Sequence, residues 1–297
     1  MKKHSNQLMC LVFLALLLMP LSSFAQSIQV TDDTGRTLQL AQPAQRLISL
    51  APHITENVFA AGAGDLLIAA VKFSDYPEAA THLPRVGSHT QMDLEGIVAL
   101  QPDLILAWHS GNPRAQLEQL ERLGIPIYYS EPRSFAEVAE NLRRIGTLTG
   151  HQATAELAAT ELEQGVAAVK TAHQGLRPVR VFYQVWEQPL MTINREHIIH
   201  EAISLCGGEN IFADVDALIP RISQEAVIQQ NPEAILGGGM GEANRAWLDN
   251  WQRFESLQAV QDNKLYFIPP SLLQRATPRM LEGTRLVCEK LQQARGH

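Results

Sequence analysis

The chain of 297 residues carries no recognisable catalytic signature. There is no Gly-x-Ser-x-Gly elbow, no His-Glu-x-x-His pair, no phosphate-binding loop and no Cys-x-x-Cys pair. The enzyme classes that depend on those arrangements therefore find no support. Positive charge is also scarce: 24 Lys and Arg stand against 31 Asp and Glu, for a net charge of −7. Nucleic-acid binding needs dense Lys and Arg to displace counterions, so the charge argues against that class. Cysteines number only three. Beyond residue 25 no apolar run is long enough to cross a bilayer as a helix.

What is present begins with an export leader. Lys2 and Lys3 precede an apolar stretch over 8–18, and Ser23 and Ala25 stand at −3 and −1 before a cut at Gln26. Residues 1–25 thus read as a cleaved signal peptide and direct the chain to the periplasm. A buried N-terminal helix is the alternative. Cleavage removes Cys10 and two lysines, leaving a charge of −9 and two cysteines, Cys206 and Cys288. In an oxidising compartment an even pair reads as a disulfide, here within the C-terminal half. Two separate buried thiols are the alternative.

After a hairpin-like start (IQVTDDTGRTLQL), short apolar runs alternate with helical patterns. Strands are predicted at 46–50, 67–71, 104–107 and 125–129, and helices at 56–61, 94–100, 114–123 and 134–147. Ser134 and Glu137 form a capping box for the last helix. The pattern resumes with strands at 180–185, 234–236 and 264–268, and helices at 198–205, 224–230, 243–252 and 279–294. Between the two sets lies an Ala- and Glu-rich stretch without breakers, read as one long, stiff helix or, alternatively, as a surface helix of one lobe. The expectation is α/β: two Rossmann-like lobes with mainly parallel sheets over 26–150 and 176–297, joined by a helix over 151–175. An internal echo supports two related lobes. The segment from Glu95 to Leu106 matches that from Glu225 to Leu236 at a constant offset of 130.

Several residues stand where ligands bind in open α/β sheets, at strand carboxyl ends. His53 and His109 each follow a predicted strand. Trp108 and Trp186 end or closely follow one in each lobe, and read either as core or as walls of a ligand cleft. Gly237, Gly238 and Gly239 form either a close approach to a ligand or the other lobe, or a plain tight turn. His197 and His200 lack a third metal ligand and read as solvated or capping.

The segments RLISLAPHITENVFAAGAGDLLIAAVKFSDYP and RVGSHTQMDLEGIVALQPDLILAW resemble the helical-backbone class of periplasmic substrate-binding proteins, which feed ABC importers of corrinoids, haem and ferric siderophores. SLCGGENIF, SQEAVIQQNPEAIL and RATPRM are similar to the cobalamin-binding members, as is the Cys206 and Cys288 pair. The resemblance implies a monomer with no cofactor and no catalysis, which captures cobalamin or a related corrinoid between its lobes. It implies that Glu95 and Glu225 dock onto arginines of an ABC permease dimer. It also implies cleft contacts by Phe73, His89, Trp108, Ile219, Ser271 and Arg275. His89 and Ile219 stand where cobalamin-binding members carry tryptophan, Phe73 where they carry tyrosine, and Ser271 where they carry aspartate. A haem or ferric-siderophore carrier of the same fold is the first alternative. A periplasmic metal-binding protein or enzyme using His53, His89 and His109 is the second.

Overall fold

The computed structural model describes residues 27–239 and 241–296. The predicted leader, residues 1–25, lies outside the described residues. A hairpin of β1 (Ile28–Thr31) and β2 (Thr37–Leu40) opens the chain, with Asp32 accepting from Thr34 and Arg36 at the turn. The first lobe follows: β3 (Leu47–Ser49), α1 (Pro52–Ala60), β4 (Leu67–Ala70), the ribbon β5 (Gly87–Ser88) and β6 (Gln91–Met92), α2 (Leu94–Ala99), β7 (Leu104–Trp108), α3 (Arg114–Arg122), β8 (Ile127–Ser130) and α4 (Phe135–Thr149). The linking helix α5 (Gln152–His173) leads to the second lobe: β9 (Val179–Gln184), α6 (Ile198–Leu205), β10 (Gly208–Asn210), α7 (Gln224–Gln230), β11 (Ala234–Gly237), α8 (Ala246–Asp249), α9 (Gln258–Gln261), β12 (Leu265–Phe267), α10 (Pro270–Leu273) and α11 (Met280–Arg295).

Each lobe holds one four-stranded, wholly parallel sheet. The orders are β4-β3-β7-β8 and β10-β9-β11-β12. Counted within each lobe, both read second, first, third, fourth. The expected α/β architecture with two related lobes is borne out, and the echo at offset 130 has a physical basis. Asp93 caps α2 by accepting from Gly96 N, and Ser223 caps α7 by accepting from Ala226 N. Gln101 and Asn231 leave those helices with φ of 49° and 44°. The acid after the proline then pins the start of the lobe's first strand: Asp103 accepts from Arg46 N at 3.0 Å, and Glu233 from Arg180 N at 3.2 Å.

Helix α5 has 22 residues and no glycine or proline except Gly165. That glycine faces Leu281 of α11, where a Cβ would stand 2.2 Å from the leucine side chain. Ala155, Ala159, Leu162 and Val169 bury one stripe of the helix into a core that runs continuously from Leu47 in the first lobe to Val181 in the second. Arg143 of α4 bridges Glu156 and Glu163 on α5. A contiguous apolar core through both lobes makes the link stiff, because packed interiors transmit strain rather than flow. Glu201 of α6 adds a tie by accepting from Phe135 N at the start of α4, 2.9 Å away.

Cys206 and Cys288 are bonded and buried, joining the end of α6 to α11 within the second lobe. The two-thiol alternative falls. Their sequence separation of 82 closes a long loop, and the chain-entropy model assigns such a closure about 4.5 kcal/mol. Replacing both by serine is therefore expected to lower the free energy of unfolding by up to about 4 kcal/mol, read from urea midpoints with and without reductant.

Candidate functional site

Between the lobes lies an open cleft of about 1110 Å³, counting its mouth. Its position follows from topology. In each sheet the strand order reverses between the first and third strands, and side chains that leave those carboxyl ends diverge to form a crevice. On the first-lobe side, Pro52 and His53 follow β3, Trp108 ends β7, and Glu131 to Arg133 follow β8. On the second-lobe side the wall is made by His197, Leu218, Glu242 and the segment from Pro270 to Ala276.

Trp108 is the centre of the first-lobe wall. Its backbone N–H donates to Asn112 Oδ1 at 2.7 Å, and the amide of Asn112 donates in turn to the carbonyls of Leu50 and His89, both at 2.9 Å. One buried asparagine thus fixes the tryptophan and the turn that bears His89. Gly111 lets the indole lie flat on the backbone, since a Cβ there would stand 1.9 Å from the ring. His53 meets Trp108 edge-on at 5.2 Å, and His89 leans on it at 6.0 Å.

Burial holds two of the cleft's imidazoles neutral. His53 is lowered to about 3, chiefly by desolvation and then by the charge of Arg275. His197, whose Nδ1 accepts from Ile199 N to cap α6, is lowered to about 4 by desolvation and by Arg133. The unfolded chain takes up these protons first as pH falls through 6.5, so stability is lost from that pH down to about 3 for His53 and about 4 for His197. Each group contributes roughly 2 kcal/mol of loss between pH 7 and pH 5. His53→Gln is expected to flatten the acid limb of stability against pH, as measured by urea unfolding at both pH values.

The predicted site residues divide. Phe73, His89, Trp108, Ser271 and Arg275 line the cleft, as does His53. Trp186 and Ile219 do not, although both are partly exposed. The Trp186 indole donates to the Gln188 carbonyl and packs on Trp247 at 5.0 Å, so its ring is committed to its own lobe. His109 faces Tyr129 at 5.9 Å and lines a separate small hollow with Arg36, Arg114 and Glu121. Ser271 donates to Glu242 at 2.7 Å. Gly238 lies close to Pro270, where a Cβ would stand 2.8 Å from its ring, so the glycine turn serves packing within the second lobe. Met240 lies outside the described residues.

Arg275 is less free than its place in the wall suggests. Burial pulls its pKa down, but hydrogen bonds to Asp75 and Glu56 outweigh that, and the net shift is upward. Glu131, Pro132, Leu218, Glu242 and Gln274 were not singled out in the sequence, and His197, read there as solvated or capping, caps α6 and lines the cleft as well. Glu131 and Pro132 follow a predicted strand's carboxyl end, so the rule that found Trp108 applies to them too. Among the described residues no group of three or more His, Cys, Asp or Glu could hold a metal ion, and no helix is long and apolar enough to cross a membrane.

Glu95 and Glu225 lie outside the cleft. Each is exposed at the second position of its helix, α2 or α7, and no ion pair engages either one among the described residues. The backbone amide at its own position, and then the Ser223 hydroxyl, hold the Glu225 carboxyl below its usual pKa.

Comparison with known proteins agrees with this geometry. The family model described as periplasmic binding protein matches residues 47–272. The chain is 39% identical over 249 residues to the vitamin B12-binding protein of Vibrio cholerae serotype O1, covering 84% of this chain and 90% of that one. It is 39% identical over 251 residues to the vitamin B12-binding protein of Yersinia pestis, covering 84% and 88%. The solved structure of the Vibrio cholerae periplasmic vitamin B12 binding protein superposes with a TM-score of 0.78 at 37% identity, over 86% of this chain and 99% of that one. A periplasmic heme-binding protein from Roseiflexus shares the fold alone, with a TM-score of 0.76 at 22% identity over 84% and 99%.

Proposed function

The chain belongs to the periplasmic binding protein family, and on that premise we propose that it captures cobalamin or a related corrinoid in the periplasm and delivers it to an ABC permease dimer. The observation that carries this reading is the cleft itself. It is wide, open and walled by Trp108, Phe73, Leu218 and two imidazoles that burial keeps neutral. A corrinoid presents a flat apolar ring fringed by uncharged amides. An aromatic and aliphatic wall with neutral donors and acceptors suits that surface. Identity with two vitamin B12-binding proteins supports the same ligand.

Phe73, His89, Trp108 and Ser271 are the proposed contacts, with Arg275 as part of the wall. Trp186 and Ile219 are not retained as cleft contacts. The protein acts as a monomer and performs no chemistry on its cargo. Residues 1–25 direct export and are removed. The domain limits follow α5: a first lobe over 26–150 and a second over 176–297.

A haem carrier is the second reading, favoured by the three imidazoles at the cleft wall. Purified protein mixed with cobalamin or with haem and then desalted separates the two by absorbance. Retention of cobalamin is expected; retention of haem alone overturns the corrinoid reading.

A further inference from the structure

We propose that Glu56, which does not line the ligand cleft, is a positioning residue for ligand binding: by holding Arg275 it holds Phe73 at the rim. The inference rests on the cleft being the ligand site. Glu56 sits on α1 of the first lobe with its side chain 2% exposed. Its Oε1 accepts from Arg275 at 2.7 Å and from Arg279 at 3.4 Å, and its Oε2 accepts from Thr277 at 3.1 Å. All three donors come from one short stretch of the second lobe. The neighbouring Asn57 adds a bond to the Ala276 carbonyl at 3.0 Å.

The guanidinium of Arg275 passes this hold forward. It donates to Asp75 at 2.7 Å and to the carbonyl of Phe73 at 3.2 Å. Phe73 has φ of 66°, a left-handed conformation that an aromatic residue keeps only when its surroundings enforce it. The residue is 69% exposed, so side-chain packing does not enforce it. The turn closed by Ser74 N donating to the Val71 carbonyl at 3.4 Å sets it, and the Arg275 bond to the Phe73 carbonyl holds it there. Arg275 lines the cleft, while Glu56 lines a second, separate cavity with Phe59, Tyr76, Pro77, Thr277 and Arg279. Asp75 is largely exposed and screened, whereas Glu56 is buried. Removing the Glu56 charge leaves Arg275 short of its buried partner, which is the costly way to break such a pair.

Glu56→Gln tests this with two readouts. In the ligand-free protein, amide hydrogen exchange over 72–76 is expected to accelerate at least tenfold while the amides of α4 stay protected. In titrations with cyanocobalamin, affinity is expected to fall at least tenfold. The Glu56→Gln, Phe73→Ala double variant is expected to bind within about twofold of Phe73→Ala alone, because both changes act through one side chain. Unchanged exchange over 72–76, or losses that simply multiply in the double variant, overturns the proposal. If Glu56→Gln does not fold, Glu56→Asp, which keeps the charge on a shorter arm, is read in the same way. The exchange arm needs no ligand, so it decides the role of Glu56 even if cyanocobalamin does not bind and the corrinoid reading fails.

Discussion

Reversing Glu95 and Glu225 together to lysine is expected to abolish uptake of the ligand by cells while leaving its binding to purified protein within about twofold. The two carboxylates stand at equivalent points of the two lobes. Both follow a capping residue, Asp93 or Ser223, and both are exposed. The positive end of a helix favours a carboxylate in its first turn, so a local role would be satisfied by either glutamate alone. What local stability does not require is the pairing: the same residue, on the same helix position, at matching places in two lobes of identical strand order. A pair of like charges at matching points of two related lobes fits a two-fold partner of opposite charge. Rim charges govern association more than fold, so double reversal converts attraction to repulsion at both ends without touching the cleft. Single reversals are expected to give intermediate uptake. The measurement is accumulation of labelled cobalamin in cells whose only periplasmic corrinoid binder is the variant. Normal uptake by the double variant contradicts the docking role.

Trp108→Ala is expected to weaken corrinoid binding about 30-fold or more. A buried aromatic anchor at the centre of an interface commonly costs 2 kcal/mol or more when truncated, which corresponds to that factor. The indole is the largest side chain in the first-lobe wall, and it also supports His53 and His89. Gly111→Ala makes a sharper test. Its new Cβ would collide with the Trp108 ring, which must then leave its place, although residue 111 does not itself line the cleft. A tenfold loss or more is expected, by calorimetric titration, with little change in the free energy of unfolding. Full affinity in both variants would remove Trp108 from the binding surface.

Much of the fold was legible because the buried strands are short apolar runs and the helices carry ordinary caps. Ser134 starts α4 as its capping box implies, and the helix runs past the predicted 147 to Gly150, whose positive φ of 79° ends it. Other elements left no clear trace. β10, Gly208-Glu209-Asn210, is an edge strand of three residues with no apolar side chain, so its pairing comes from backbone alone. The helix expected over 243–252 is a single turn, Ala246–Asp249, continued by a tighter turn over Asn250–Arg253. Helix α1 begins four residues early because Pro52 presets the first helical φ.

The site was legible only in part, and for a related reason. The strand-end rule finds residues near the crevice but not which way they point. His53 and Trp108 turn into the cleft, while His109, one residue further on, turns to the opposite hollow. Glu56 was invisible. It is a lone acid in an apolar helix, and its meaning comes from Arg275, 219 residues away. No local spacing encodes such a contact.

The central claim is that a stiff, two-lobed chain holds one corrinoid between its lobes and releases it unaltered. Titration calorimetry of the purified protein with cobalamin, cobinamide and haem tests it most directly. The account predicts one corrinoid bound per chain, recovered with its absorbance spectrum intact, and no comparable heat with haem. Saturable binding of haem with no response to either corrinoid would contradict it.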